Sequence, residues 1–351
     1  MVLGVYLEPF PSDAQEVIEG EPVPHTAEPA EIIEAIQAAG IVGLGGAAFP
    51  THVKLDVPPD KSVDTVIVNG VECEPYLTTD HRVMLEQKED VFEGLRYVLA
   101  VTRAERAIIA IEANKLDAAD LLRTHLPDDL PAEVVVLPVK YPQGAEKMLV
   151  TALLGRQVPS RGLPLDVGAA CINVATTAEI GRLLPHGRGI QERVITVTGP
   201  GVEKKGNYRM PIGTPLRFIL EATGVSQDVS RVFMGGPMMG PAASSLDIPV
   251  VKGTSGVVAF TEAETGRARE KPEYPCIRCS RCIEACPMYL NPSELGLLAR
   301  RDEHQRMAED HNLMDCFECG SCSFVCPSHI PLVQYFRMAK AKVRKEAAKA
   351  S

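Results

Sequence analysis

Eight of the chain's ten cysteines fall between positions 276 and 326. Cys276, Cys279, Cys282 and Cys286, with Pro287 behind the last, stand at the spacing C-x2-C-x2-C-x3-C-P, the run that binds 4Fe–4S clusters. The same spacing and trailing proline recur at Cys316, Cys319, Cys322, Cys326 and Pro327. In such a run the three closely spaced thiolates wrap one cubane and the fourth reaches across to the other. One cluster is therefore expected on Cys276, Cys279, Cys282 and Cys326, and the second on Cys316, Cys319, Cys322 and Cys286. A pair of zinc ribbons is the alternative, but zinc needs only four ligands and no x3-C-P tail. Fixed thiolate ligation with no open position suits electron relay rather than chemistry at iron, so the electrons must enter elsewhere.

A second constellation lies far upstream. Gly43, Gly45 and Gly46 offer unobstructed backbone N–H groups, and Thr51, His52 and Lys54 follow with a hydroxyl, an imidazole and an ammonium. That combination suits a phosphate. The loop is not a dinucleotide fingerprint, because a helical pattern precedes it and no glycine stands three positions after Gly46; nor is it a Walker loop. Three polar turns accompany it, each after a β-type run: Asn69-Gly-Val-Glu72-Cys73-Glu74-Pro75, Tyr141-Pro-Gln143-Gly144-Ala-Glu146-Lys147, and Asn173-Val-Ala-Thr176.

These motifs, with Gly235-Gly-Pro-Met-Met-Gly240 and the two cysteine runs in this order, resemble the C component of Rnf-type ion-translocating electron transport complexes, from about Pro29 to about Lys342. That family is similar in turn to the flavin-carrying, NADH-oxidising subunit of respiratory complex I. The resemblance implies non-covalent FMN on the 43–54 loop, with Lys54 near its phosphate. It implies that Asn69, Glu74, Tyr141, Gly144, Asn173 and Thr176 line the flavin and nicotinamide site, and that Glu146 lies near the nicotinamide end. Val71 and Ala145 depart from the complex I pattern, standing where that family has an aspartate and a glutamate. The implied partners are NADH and membrane-embedded subunits, including a ferredoxin-like iron–sulfur subunit, at the cytoplasmic face of the inner membrane. Electrons from NADH would be exchanged with ferredoxin and coupled to movement of Na⁺ or H⁺. A soluble flavin/iron–sulfur reductase, such as a corrinoid reductase, would share the same loop and both cluster motifs. A flavin-free module using its clusters structurally is a third reading.

The elements that must hold these residues follow from pattern. Apolar positions at Ile32, Ile33, Ile36 and Ala39 predict a helix that stops at Gly40. The runs 65–69, 106–112, 133–139 and 170–174 predict strands, with a helix over 176–184. This alternation predicts an α/β domain over 29–188, which the resemblance implies is flavin-binding. Short β-type runs at 193–198, 230–234 and 257–260 and a helix at 215–222 predict a small α+β domain over 189–261, which the resemblance implies is β-grasp-like. The segment 262–342 is expected to be an α-helical dicluster ferredoxin-like domain behind a charged linker. Asn291 before Pro292 marks a helix start between its two halves. Residues 1–28 read as an irregular lead-in or the remnant of another domain, and 343–351 as a basic tail, a solvated helix end or a contact for anionic lipid or an acidic partner.

At 351 residues the chain has room for these domains. With 36 basic against 46 acidic residues its net charge is −10, which argues against nucleic acid as the partner. No run of about 18 apolar residues predicts a membrane span, and the first fifteen residues do not read as an export signal. Cys73, between two carboxylates, and Cys171, in an apolar run, are expected to be packing residues. Met238 and Met239 read as part of a packed turn, and His329 as part of a helix start.

Overall fold

A computed structural model describes Val17, residues 19–265 and residues 272–350. The first domain is built on four parallel strands in the order β3-β2-β1-β4: β1 (Thr65–Gly70), β2 (Arg106–Glu112), β3 (Ala132–Leu137) and β4 (Ala169–Asn173). Their near-continuous apolar sequences fit strands covered on both faces. Val66 and Val68 join a core with α1 (Pro29–Ala38), α4 (Lys88–Thr102), α5 (Leu116–His125) and α7 (Val174–Leu183); α2 (Thr51–Leu55) and α3 (Thr79–Glu86) complete that side. Ile67 points the other way, into a smaller core with α6 (Glu146–Leu154) and Cys171. Cys171 is thus the packing residue expected, and burial pushes its thiol well above the ordinary range.

Helix α7 begins at Val174, two residues earlier than its sequence pattern predicts, because the Asn173 side chain accepts the Thr176 N–H at 3.2 Å and caps the helix directly off the strand. Helices α4 and α7 approach so closely that a β-carbon on Gly94 would lie 1.8 Å from the Thr177 carbonyl oxygen. Of the lead-in, the described part is docked: the Tyr97 hydroxyl donates to the Val23 carbonyl at 2.5 Å and Gly20 N–H to the Gly187 carbonyl at 3.0 Å.

The second domain is a mixed sheet in the order β6-β5-β8-β7: β5 (Glu192–Thr198), β6 (Gly206–Pro211), β7 (Val229–Met234) and β8 (Gly256–Thr261). Central β5 and β8 run parallel, and α8 (Leu216–Thr223) packs its Leu216, Ile219 and Leu220 against the sheet. This is the β-grasp arrangement. Of the charged linker, residues 266–271 lie outside the described residues.

The third domain is helical and internally repeated: α9 (Arg281–Glu284) and α10 (Pro292–Arg300) correspond to α12 (Ser321–Phe324) and α13 (Leu332–Ala350), with α11 (His304–Glu309) between. The repeat extends to backbone detail. Left-handed residues recur at Arg278 and Glu318, at Ser280 and Gly320, and at Tyr289 and His329. His329 therefore sits in the turn after Cys326 rather than at a helix start, and α13 opens at Leu332. The basic segment read as a tail or solvated helix end is the last part of α13, which runs to Ala350, three residues beyond the 332–347 its sequence predicts.

Candidate cofactor site

The order β3-β2-β1-β4 reverses direction between β1 and β4, and open parallel sheets bind ligands beyond the strand ends at such a switch point. Asn69 and Asn173 are register partners at the carboxyl ends of these two strands. Both side chains hold loops. Asn69 Nδ2 donates to the Gly144 carbonyl at 2.8 Å, while its Oδ1 accepts the Val71 N–H at 3.0 Å. Asn173 Nδ2 donates to Asp80 at 2.7 Å, and its amide lies against Gly45. The Thr176 hydroxyl accepts the Leu44 N–H at 2.9 Å. The glycine loop is closed on itself by Gly43 N–H to the Phe49 carbonyl at 2.8 Å. Gly46, at φ +104°, has no atom within 4 Å of where a β-carbon would sit, so the loop keeps an open backbone face at the crevice.

Lys54 and Glu146, expected at opposite ends of a bound cofactor, form one ion pair here. Lys54 lies on α2 and Glu146 opens α6, so the pair ties the glycine loop to the segment after β3. Behind the loop, the Thr51 hydroxyl is buried and without a hydrogen-bond partner. An open glycine cradle with an orphan hydroxyl and an ammonium at hand fits a phosphate group.

Glu74 and Tyr141 are directed to a different place. Glu74 Oε1 accepts the Met238 and Met239 N–H groups at 2.7 and 2.9 Å. Its Oε2 is buried with no partner, and burial raises the carboxyl above the usual range against those two donors. The Tyr141 hydroxyl donates to the Cys319 carbonyl at 2.6 Å, held protonated by burial and the nearby Glu74. Met238 in turn lies on Gly320, whose φ of +84° and closeness to the Met238 carbonyl leave no room for a side chain. Three domains therefore meet at Glu74, Tyr141, the Met238–Met239 turn and the Cys316–Gly320 loop. Arg337 donates to Glu318 at 3.1 Å and to the Met239 carbonyl at 3.0 Å, locking the seam from the far side. Asp315 adds a second tie, accepting the Arg161 N–H at 2.8 Å.

The cysteines divide in two. Cys276, Cys279, Cys282 and Cys326 line one cavity with Ile277, Leu297, Pro327 and Leu332. Cys322 is buried, and with Cys316, Cys319 and Cys286 facing it its thiol is pushed up to about 12. Among the described residues no three Cys, His, Asp or Glu side chains form a single-ion site. The first set rings a cavity and the second gathers around Cys322, two groups of four thiols as two cubanes require.

Sequence reasoning missed a buried charged layer under the crevice. Arg193 of β5, 3% exposed, donates to the Leu44 carbonyl at 3.1 Å and to the Thr254 carbonyl at 3.3 Å, so the second domain braces the glycine loop. Lys252 does the same at the Gly40 carbonyl, 2.7 Å away. Glu72 accepts the Asp80 N–H at 3.0 Å, and burial with the Asp80 charge raises its carboxyl to about 8; burial raises Asp80 itself to about 6. Glu72 belongs to the Asn69–Pro75 turn, but nothing local in sequence marks Arg193, Lys252 or Asp80, whose partners are mostly distant. Cys73 is a packing residue as expected, accepting the Gly144 N–H at 3.4 Å, its thiol raised to about 11 by burial.

Comparison with known proteins finds three domain types in the same order. Family models match a Nuo51 FMN-binding domain at residues 36–182, an SLBB domain at 194–242 and a 4Fe-4S dicluster domain at 274–330. The solved NAD⁺-reducing nickel–iron hydrogenase in its H2-reduced state shares the fold, with a TM-score of 0.61 at 20% identity over 89% of this chain and 62% of that one. The C component of the proton-translocating ferredoxin:NAD⁺ oxidoreductase complex of Clostridium ljungdahlii is 43% identical over 90% of this chain and 68% of its own length. The corresponding component of the Na⁺-translocating complex of Acetobacterium woodii is 40% identical, covering 87% and 68%. The C component of the ion-translocating oxidoreductase complex of Pseudomonas aeruginosa is 41% identical over 92% of this chain but only 41% of its own length. The three domains, their order and these identities establish that the chain belongs to the family of C components of ion-translocating oxidoreductase complexes.

Proposed function

We propose that this chain is the electron-input subunit of a membrane-bound, ion-translocating NADH:ferredoxin oxidoreductase, working peripherally at the cytoplasmic face and reversibly. The observation that carries this reading is the direct contact between crevice and cysteine domain, where Tyr141, from the turn after β3, donates to the carbonyl of Cys319. FMN bound in the crevice would supply the conversion between a hydride pair and single electrons. Gly43, Gly45 and Gly46 would hold its phosphate with backbone N–H groups, and Lys54, released from Glu146, would neutralise it. Asn69 ties the Gly144 turn to the end of β1, and Thr176 ties the glycine loop to the start of α7, with Asn173 against Gly45. Glu74 and Tyr141, through their hydrogen bonds to the Met238 and Met239 N–H groups and the Cys319 carbonyl, fix the crevice against the second cluster loop.

We assign one 4Fe–4S cluster to Cys276, Cys279, Cys282 and Cys326 and the other to Cys316, Cys319, Cys322 and Cys286. Partner subunits, among them a ferredoxin-like iron–sulfur subunit, would carry the ion pathway; among the described residues no helix is long and apolar enough to cross a membrane. The test is anaerobic reconstitution of the full chain. It should retain one FMN and eight irons, and NADH should bleach the flavin. Lys54→Ala should weaken FMN binding about tenfold or more with iron content intact. Eight irons with no flavin, or loss of both together, would overturn the assignment.

A further inference from the structure

The repeat in the third domain puts a cation at the same place in each half and gives it a different setting. Arg300 closes α10, and Lys340 holds the equivalent position in α13. Arg300 lines the cavity of the first cysteine set, but its side chain is 39% exposed, paired with Glu273 and laid over the Tyr335 ring. Arg278, which lines the same cavity, is exposed. Lys340 is only 5% exposed. Its Nζ donates to the Cys316 carbonyl and, at 3.1 Å, to Glu318. Glu318 is shared with Arg337, so two cations meet one carboxylate beside the second set. Asp315, the other carboxylate there, is taken up by Lys147, the Ser160 hydroxyl and the Arg161 N–H of the first domain. The Lys340 charge reaches the sulfur: burial pushes the Cys316 thiol up, and the Glu318 N–H and Lys340 work against it. At Cys282 of the first set, burial and three neighbouring thiols push the same way with no cation opposing them.

We propose that Lys340 is a positioning residue for electron transfer, its buried charge raising the electron affinity of the second cluster set, the one against the crevice, with little effect on the first. The inference rests on the cluster assignment above. Reduction adds one negative charge to a cluster and breaks no bond, so a neighbouring cation favours the reduced form. A buried charge acts through a low dielectric, whereas Arg278 and Arg300 are screened by water. The set that faces the crevice is thereby made to hold the electron that the crevice releases.

The test is an EPR-monitored redox titration of the reconstituted full chain, which reads the reduction equilibrium of each cluster without turnover. Wild type should titrate as two components with eight irons. Lys340→Met keeps the apolar stem and removes the charge. It should make one component at least tenfold harder to reduce, a downward shift of about 59 mV, while the other stays within about twofold. Lys340→Arg should keep the wild-type value. Glu318→Gln, which leaves Lys340 and Arg337 without their carboxylate, should move the same component upward; a merely structural role for Lys340 gives no such reversal of sign. Arg300→Met should move neither component by more than about twofold. Equal potentials in wild type and Lys340→Met, a shift shared by both components, shifts of one sign in Lys340→Met and Glu318→Gln, or an equal shift from Arg300→Met would overturn the proposal. Should Lys340→Met fail to hold iron, the upward shift in Glu318→Gln decides, and its absence overturns the proposal. Fewer than eight irons in wild type would sink the cluster assignment and this proposal with it; eight irons and no shift in any variant would sink this proposal alone.

Discussion

Glu72 shows how a single buried carboxyl in this site couples to pH. Its oxygens face the Asp80 and His81 N–H groups, with the Asp80 carboxylate and Lys115 the nearest charges. Burial, with the Asp80 charge, holds its folded-state value near 8, above the ordinary 4.5 of the unfolded chain. The folded state thus keeps a proton that the unfolded state releases. The stability this confers is full below about pH 4.5 and is lost as pH rises through 8. Glu72→Gln keeps the neutral shape without the titration. We expect it to match wild type near pH 5 and to exceed it by roughly 1–3 kcal/mol at pH 9, measured by denaturant unfolding across that range. Parallel pH profiles for the two proteins would refute the argument. The cysteines were legible because cluster ligation is written in local spacing. Asp80, Arg193 and the burial of Glu72 were not, since burial of a charge depends on partners that the chain brings from up to 149 residues away.

At the scale of elements, the position of the crevice depends on α4 and α7 holding the sheet's main covered face. Their contact at Gly94 is backbone on backbone, with the Thr177 carbonyl where a side chain would begin. Gly94→Ala must push the helices apart, and α7 carries Asn173 at its cap and Thr176 in its first turn. We expect a loss of about 1–3 kcal/mol or more, seen as a fall in melting temperature, together with weaker FMN retention because the glycine loop hangs from Thr176. A melting temperature within 1 °C of wild type would show that the interface tolerates the methyl, against the roughly 2–4 °C expected for each kcal/mol. The strands and most helices were readable from apolar runs and helical periodicity, which report burial along one segment. The early start of α7 was not, because it is set by a cap geometry two residues long. Nor was the paired left-handed backbone of the cysteine loops, which at Arg278, Glu318, Ser280 and Tyr289 has no glycine to announce it.

The whole molecule works only if the crevice and the cysteine domain keep their spacing, and the second domain helps to set it beside the direct Tyr141 and Asp315 ties. In sequence, Gly235-Gly-Pro-Met-Met-Gly240 is a packed turn; in the fold it is the wedge between Glu74 on one side and Gly320 on the other. A β-carbon on Gly236 would sit 1.8 Å from Glu74 Cγ, and the clash cannot be relieved without breaking the Met238 and Met239 N–H bonds to that carboxylate. Gly236→Ala therefore acts on the seam while leaving the glycine loop, Lys54 and all eight cluster cysteines untouched. Since a displacement of about 1 Å remote from the reacting groups can cost on the order of a hundredfold, transfer from crevice to cysteine domain should slow by roughly tenfold to a hundredfold. NADH reduction of the flavin, confined to the first domain, should stay within about twofold of wild type. Stopped-flow absorbance at flavin and iron–sulfur wavelengths separates the two phases. Slowing of both by the same factor would mean that the turn supports the crevice itself, and no slowing of either would remove the seam from the electron path.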